Sequence, residues 1–492
     1  MTGHHHPWFG TNELPPPARL GAEELRQTFV HEMRGIGFNG AQVATRPLTV
    51  PPASAAELYA ASARLLALLR KALLAAGPGR AERMAALAVD ETLHPLFTDD
   101  RTEERHCACI ARPDVLIGPD GPKFLEVNVG GAVGGAVHTH VLTRTWRRLH
   151  ADSPHSGRLP FRSHSLFAER RRLFAAVCDK LGTERSVALL GTVRDLPGVH
   201  GTRYFDLEVD HLRRHGFAAE FFEPEDLHHG HGTDGRFRYP VGLRHFTITE
   251  WRQHAIDLAP VRRAVDAGCL FLAPQTAYLI SNKKVLGWVS EGQPWMTGAE
   301  RTFVRRYLPW TRVTGDRPVL WRGRRYGLGE LLLRRRESFV LKKAVGMCGD
   351  GVLLGPSTGP AAWADAVERA VREKDSIAQE YIEPGRCATG LTDGTEAGTR
   401  STTIAPAPRP VHHRRTARRL PRALLRLRRQ RDRQHVRTRG TDQRPGQFLT
   451  STSNRSRCGR RSRRRAPRRE GKHSDICVLS AAGQGLGGVA GA

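Results

Sequence analysis

With 492 residues, 39% hydrophobic content and a formal net charge of +28, the chain is long enough for two or three domains with a substantial core. No stretch approaches the length and apolarity of a membrane span. The N-terminus, His4-His5-His6-Pro7-Trp8, has neither the basic region nor the apolar core of a secretory signal. These features argue against a membrane partner and make the cytoplasm the expected compartment. The eight cysteines are scattered, and the close pair Cys107 and Cys109 lacks a second pair to complete a zinc site, so reduced thiols are expected.

In chain order, the first predicted element is a helix over 54–76. Leu58, Leu65, Leu66, Leu68, Leu69 and Leu73 recur three, four or seven apart, and Ser54 and Glu57 stand at capping-box spacing. Residues 81–89 extend this N-terminal helical region. A hairpin follows. The run 110–117 places Arg112 and Asp114 on a common face, Gly118 to Pro122 supply turn residues, and Phe124-Leu125-Glu126-Val127-Asn128-Val129 alternates at strand period. Glu126 and Asn128 then project from one face about 7 Å apart, and antiparallel pairing brings Asp114 beside Glu126. Two carboxylates and an amide oxygen suit a hard cation such as Mg2+ that keeps waters and bridges phosphates. The polar face of an exposed hairpin gives the same spacing.

Gly130 to Val137 forms a glycine-rich turn into a helix running through Trp146; its small residues serve either close approach to a ligand or tight packing. Next come a helix over 164–181, a strand over 187–193, a helix over 204–214 and a strand over 218–222, the pattern of a small parallel sheet. His228, His229 and His231, beside Gly230 and Gly232, read as a polar loop rather than a metal site. Phe271 to Pro274 is a further strand end, and Asn282 to Val289 starts a helix.

The second informative block begins with a strand over 338–344 that carries Lys342, followed by Gly346, Gly349 and Gly351 and the apolar run Val352 to Leu354. Glycines let consecutive amides turn toward an anion while lysine neutralises phosphate charge, although a glycine hairpin with a surface lysine reads the same way. This is not a P-loop, because no Gly-Lys-Ser/Thr follows. A helix over 361–373 leads to a strand over 377–382.

The remaining chain is different in kind. Residues 397–492 hold 25 of the 77 basic residues and 4 of the 49 acidic ones, so +21 of the net charge lies there and +7 in the rest. Arginine dominates, Lys472 being the lysine and Phe448 the aromatic residue present. Such composition cannot offset chain entropy by burial, so a disordered tail is expected, at best weakly helical over 420–427. A nucleic-acid-binding arm, a solvated tail and an out-of-frame translation of a GC-rich gene all fit it.

Together the blocks resemble the circularly permuted ATP-grasp ligases, above all the synthetase domain of glutathionylspermidine synthetase and its relatives. Arg112-x-Asp114, eleven intervening residues and Glu126-x-Asn128 match the family's metal hairpin. Lys342 matches its Val-x-Lys-Pro strand, with Lys343 where proline is usual. Gly346 to Gly351 match the glycine loop, Gln379, Glu380, Tyr381 and Ile382 the hinge whose backbone faces adenine, and Ser281-Asn282-Lys283 the segment with a second phosphate lysine. The hairpin precedes the lysine strand, the order of the permuted branch.

The resemblance implies an α/β (α+β) fold: a helical region over 1–104, the metal-binding part of an ATP-grasp over 105–160, a small α/β pre-ATP-grasp-like domain over 161–280, the nucleotide-binding part over 281–390 and the basic tail over 391–492. It implies an enzyme, a carboxylate–amine ligase acting through an acylphosphate in small-molecule or peptide biosynthesis, with ATP and Mg2+ as cofactors. Asp114, Glu126 and Asn128 would hold metal, Lys283 and Lys342 would neutralise phosphates, and Arg112 would bind the acceptor carboxylate and stabilise the tetrahedral intermediate. The family's chain beyond the hinge has no counterpart in the arginine-rich segment, and no amidase domain precedes the ligase. A phosphotransferase on the same scaffold, and a nucleic-acid-binding protein acting through a genuine basic tail, are the alternatives.

Overall fold

A computed structural model of the chain describes residues 20–38, 43–151, 161–162, 165–196, 198–346, 351–385, 387–392, 399–413, 422–428, 447–452 and 474–481, with Trp8 and Gly349. The long leucine-rich helix is Pro52–Ala75, and its apolar stripe of Leu58, Leu65, Leu66, Leu68, Leu69 and Leu73 is buried. Its start differs from the expected capping box. Pro51 is the N-cap and Pro52 opens the helix, so proline sets the first-turn backbone without a side-chain cap. Glu57 instead accepts hydrogen bonds from Arg306 and Tyr307, both at 2.6 Å. Gly77-Pro78-Gly79 breaks the pattern, and Arg80–Leu87 is a separate helix.

The expected hairpin forms from strands Ile110–Gly118 and Gly121–Val129. Its apolar side chains Val115, Ile117, Phe124, Val127 and Val129 join the leucines of Pro52–Ala75 in one core, which continues into helix Lys283–Glu291 through Val285, Leu286 and Val289. The glycine-rich turn then enters helix Ala136–Ala151.

The small parallel sheet is also present, in the order Ala218–Phe222, Ser186–Leu190, Val241–Arg244, Leu270–Leu272. The sequence pattern misses Val241–Arg244, a strand of four residues and too short to show a period. Helix Leu166–Leu181 leads into strand Ser186–Leu190, and helix Arg203–Arg213 connects that strand to Ala218–Phe222; the two helices are locked by a buried pair, Arg170 Nη1 to Glu208 Oε2 at 2.7 Å.

A second four-stranded sheet is antiparallel, in the order Val352–Leu354, Phe339–Lys343, Ser376–Glu380, Thr311–Val313. Phe339, Leu341 and Ala378 face a core with Trp363 and Val367 of helix Pro360–Glu373 and Leu331 and Leu332 of helix Leu328–Arg334. The opposite face carries Lys342 and Gln379 toward the hairpin.

One expectation needs correction. In the basic region, Thr399–His413, Arg422–Arg428, Gln447–Thr452 and Ser474–Ala481 are strands, and Arg422–Arg428 is not helical. They form consecutive antiparallel pairs, and His412 and His413 pair with Ala111 and Ile110 of the hairpin. Backbone donors and acceptors at an open sheet edge require partners, a demand that composition does not reveal.

Among the described residues, no helix is long and apolar enough to cross a membrane. Cys107, Cys109, Cys178 and Cys269 are buried.

Gly131 is where the hairpin meets the parallel sheet. A Cβ there would lie 2.2 Å from the Arg244 carbonyl oxygen and 2.5 Å from that of Leu272, both backbone atoms. Of the two expected uses of this turn, tight packing describes Gly131. Gly131→Ala should cost about 1–3 kcal/mol through forced displacement, read as a lower denaturation midpoint in urea.

Candidate functional site

The register of the hairpin sets Asp114 opposite Glu126 and Arg112 opposite Asn128, with an irregularity between Asp114 and Val115. Alternation turns these four side chains to the half-exposed face while Val127 and Val129 go to the core. Arg112 Nε lies 3.8 Å from Asp114 Oδ1, and its Nη1 donates to the Gly134 carbonyl at 3.1 Å. The glycine-rich turn therefore anchors the arginine head. Asn128 Nδ2 donates to Glu126 Oε1 at 3.3 Å, leaving the amide oxygen as the acceptor for a cation.

Three segments distant in sequence close on this face. Ser281 Oγ donates to the Val129 carbonyl at 2.9 Å and accepts from the Val129 amide at 2.6 Å. This clasp ties the end of strand Gly121–Val129 to the start of helix Lys283–Glu291, where Asn282 caps by accepting from the Lys284 amide. Lys283 Nζ thereby sits 3.5 Å from Glu126 Oε2 and donates to the Gly346 carbonyl at 3.3 Å. From the antiparallel sheet, Lys342 Nζ donates to Gln379 Oε1 at 2.7 Å and to the Leu125 carbonyl at 3.3 Å. Gln379 Nε2 also donates to Leu125 O at 3.3 Å and to Thr311 Oγ1 at 3.1 Å.

Lys343, on the other face of its strand, pairs with Asp375 and Glu373 and has no part in the cleft. Gly349 and Gly351 have φ of +86° and +65°, the left-handed region that favours glycine, while Met347, Cys348 and Asp350 lie outside the described residues. At the end of strand Ser376–Glu380, the amides of Glu380 and Tyr381 donate to the carbonyls of Trp310 and Ser338 at 2.8 and 2.7 Å. A cavity of about 420 Å³ adjoins it, lined in part by Lys123, Leu308, Trp310, Tyr381 and Ile382. Sequence reasoning missed Trp310, Leu308, Lys123 and the Ser281 clasp. The first two follow a helix without any motif, and Ser281 matters only because Val129 is beside it.

The charge arrangement is specific. Burial works against ionisation of Glu126, but the Lys283 and Lys342 ammonium groups, with hydrogen bonds from Asp114 and Asn128, outweigh it and hold the carboxyl at about 2 instead of 4.5. Glu126 is an anion across the physiological range. Carboxyl oxygens of Asp114 and Glu126 and the Asn128 amide oxygen on neighbouring strand positions fit a hard divalent cation, and Lys283 and Lys342 beside them fit phosphate oxygens. His228, in the short 3-10 helix Pro224–Gly230, and His231, just after it, are by contrast engaged by the Glu225 and Gly235 carbonyls.

No protein-family model and no curated protein matches the sequence. Among solved structures, the chain is similar to a glutathione synthetase-like effector (GSS30) from Globodera pallida in its apo form. The identity is 12%, the TM-score 0.50, and the match covers 83% of this chain and 96% of that one. The chain thus shares a mixed α/β fold with that glutathione synthetase-like effector.

The lowered carboxyl has a consequence for stability. Its folded value lies below the unfolded one, so its contribution is complete above about 4.5 and disappears as pH falls toward about 2. In urea melts, Glu126→Gln should be less stable than wild type at neutral pH, with the gap narrowing through that acid window. A gap independent of pH would contradict the assignment.

Proposed function

We propose that the protein is an ATP-dependent carboxylate–amine ligase that forms an amide bond through an acylphosphate. The observation that carries this reading is the convergence of Lys283, Lys342 and the Asp114–Glu126–Asn128 set on one stretch of strand, Leu125 to Asn128, within a fold of the ATP-grasp-related kind. A nucleotide polyphosphate needs such cationic and cation-binding groups together. The hairpin precedes the lysine strand in the chain, in keeping with a permuted ATP-grasp.

Each residue has a physical task. Asp114, Glu126 and Asn128 would hold Mg2+, which when bound supplies charge neutralisation between phosphate groups. Lys283 and Lys342 bind the phosphate oxygens not so neutralised. The loop through Gly346, Gly349 and Gly351 covers them and excludes water that would hydrolyse an acylphosphate. Base and ribose occupy the hinge side, toward the cavity beside Tyr381 and Ile382. Arg112 has its Nη1 fixed by Gly134, and its buried Nε has no hydrogen-bond partner among the described residues. That donor would bind the acceptor carboxylate and the oxyanion that develops when the amine attacks. The substrates are small-molecule or peptide acids and amines.

The test is ADP release with ATP, Mg2+ and a panel of carboxylates and amines. ADP formation should require both an acid and an amine, and Glu126→Ala should lower it at least about 100-fold with an unchanged far-UV circular dichroism spectrum. ADP formed with an acid alone, at full rate and with a stable phosphorylated product, would mark a phosphotransferase. Near wild-type turnover in Glu126→Ala would rule out the metal assignment.

A further inference from the structure

Lys283 belongs to two sites at once. Its ammonium is 3.5 Å from Glu126 Oε2, the side chain is 9% exposed, and its other partner is the neutral Gly346 carbonyl. Asp114, the second carboxylate of the cation site, has the Arg112 guanidinium 3.8 Å away. Both carboxylates are thus already faced by fixed cationic side chains. A divalent cation arriving alone must take Glu126 from Lys283 and then stay beside a buried ammonium with no new anion to offset the added charge. Like charges so close, in a poorly solvated cleft, repel strongly. A cation that arrives with a polyphosphate meets no such obstacle, because the phosphate oxygens give Lys283 a replacement partner and release Glu126 Oε2.

We infer that Lys283 restricts this site to the complex of a divalent cation with a nucleotide polyphosphate and excludes the free cation. The inference rests on the nucleotide-binding part of the proposed function and adds the form in which the ligand is accepted. Linkage makes the effect reciprocal: whatever factor the polyphosphate contributes to cation affinity, the cation contributes to polyphosphate affinity. Lys342, whose ammonium also acts on Glu126, donates to Gln379 Oε1 and Leu125 O, whereas Lys283 lies directly on Glu126 Oε2.

The test uses Mn2+ as probe, with bound and free ion distinguished by electron paramagnetic resonance on the full chain. Wild type should bind Mn2+ weakly by itself and retain it with a non-hydrolysable ATP analogue. Lys283→Met should bind Mn2+ alone about 10-fold more tightly than wild type, within the usual range for coupled sites. Adding Glu126→Gln to that variant should abolish the gain. Lys283→Gln, equally uncharged, gives the same reading if the methionine variant does not fold. Equal Mn2+ affinity in wild type and the uncharged variants overturns the inference while leaving the ligase reading intact. Failure of wild type to bind Mn2+ with the ATP analogue overturns both.

Discussion

Two residues, Pro119 and Asp120, separate strands Ile110–Gly118 and Gly121–Val129, and the irregularity between Asp114 and Val115 then shifts the pairing by one residue to the register that the site uses. With Asp114 opposite Glu126, a slip by one residue would send the carboxylates into the core and Val127 and Val129 into the cleft. The apolar face prevents it, because Phe124, Val127 and Val129 are buried against the same core as the Pro52–Ala75 leucines. Everything else in the cleft is referred to this hairpin: Ser281 clasps Val129, Lys342 and Gln379 reach Leu125, and Gly134 holds Arg112.

The cleft carries buried charge that is satisfied by replaceable partners. Lys342 and Lys283 are 7% and 8% exposed, and burying an ammonium is costly unless it is paired and hydrogen-bonded. Their acceptors include one carboxylate, one amide side chain and two backbone carbonyls. Phosphate oxygens can replace these without leaving a charge stranded. The pair Arg170–Glu208 is the contrast: at 1% and 3% exposure it joins two helices of the small α/β part, and removal of one partner leaves a buried charge. Proximity of opposite charges does not by itself distinguish a ligand site from a strut. The distinction lies in whether a ligand can supply the same interaction.

Local periodicity made much of this legible. The alternation from Glu126 to Val129 places Glu126 and Asn128 on one face, as observed, because a strand's side-chain period is a property of neighbouring residues, whereas the irregularity that sends Phe124 to the same core as Val127 breaks that period. Ala218–Phe222 and Val352–Leu354 have their expected bounds, and helix Pro360–Glu373 begins one residue before its expected start. Ser54 and Glu57 mislead because a proline start and the partners Arg306 and Tyr307, some 250 positions away, outcompete a local cap. The basic region misleads for a related reason: composition reports what a segment can bury, whereas pairing of Thr399–His413 with the hairpin edge depends on which backbone groups stand open beside it.

The sequence by itself determined the hairpin, its four polar side chains, the lysine strand with its glycine loop, and the alternation of strand and helix that becomes the parallel sheet. All of these are encoded within a few residues, through side-chain period and turn chemistry. Tertiary structure alone decided that Lys342 lies on Leu125, 217 positions earlier, that Gln379 reaches the same carbonyl across 254, and that Lys283 sits on Glu126. Those contacts depend on how two sheets and a helix pack. Packing is set by the sum of many buried side chains, which no single motif contains.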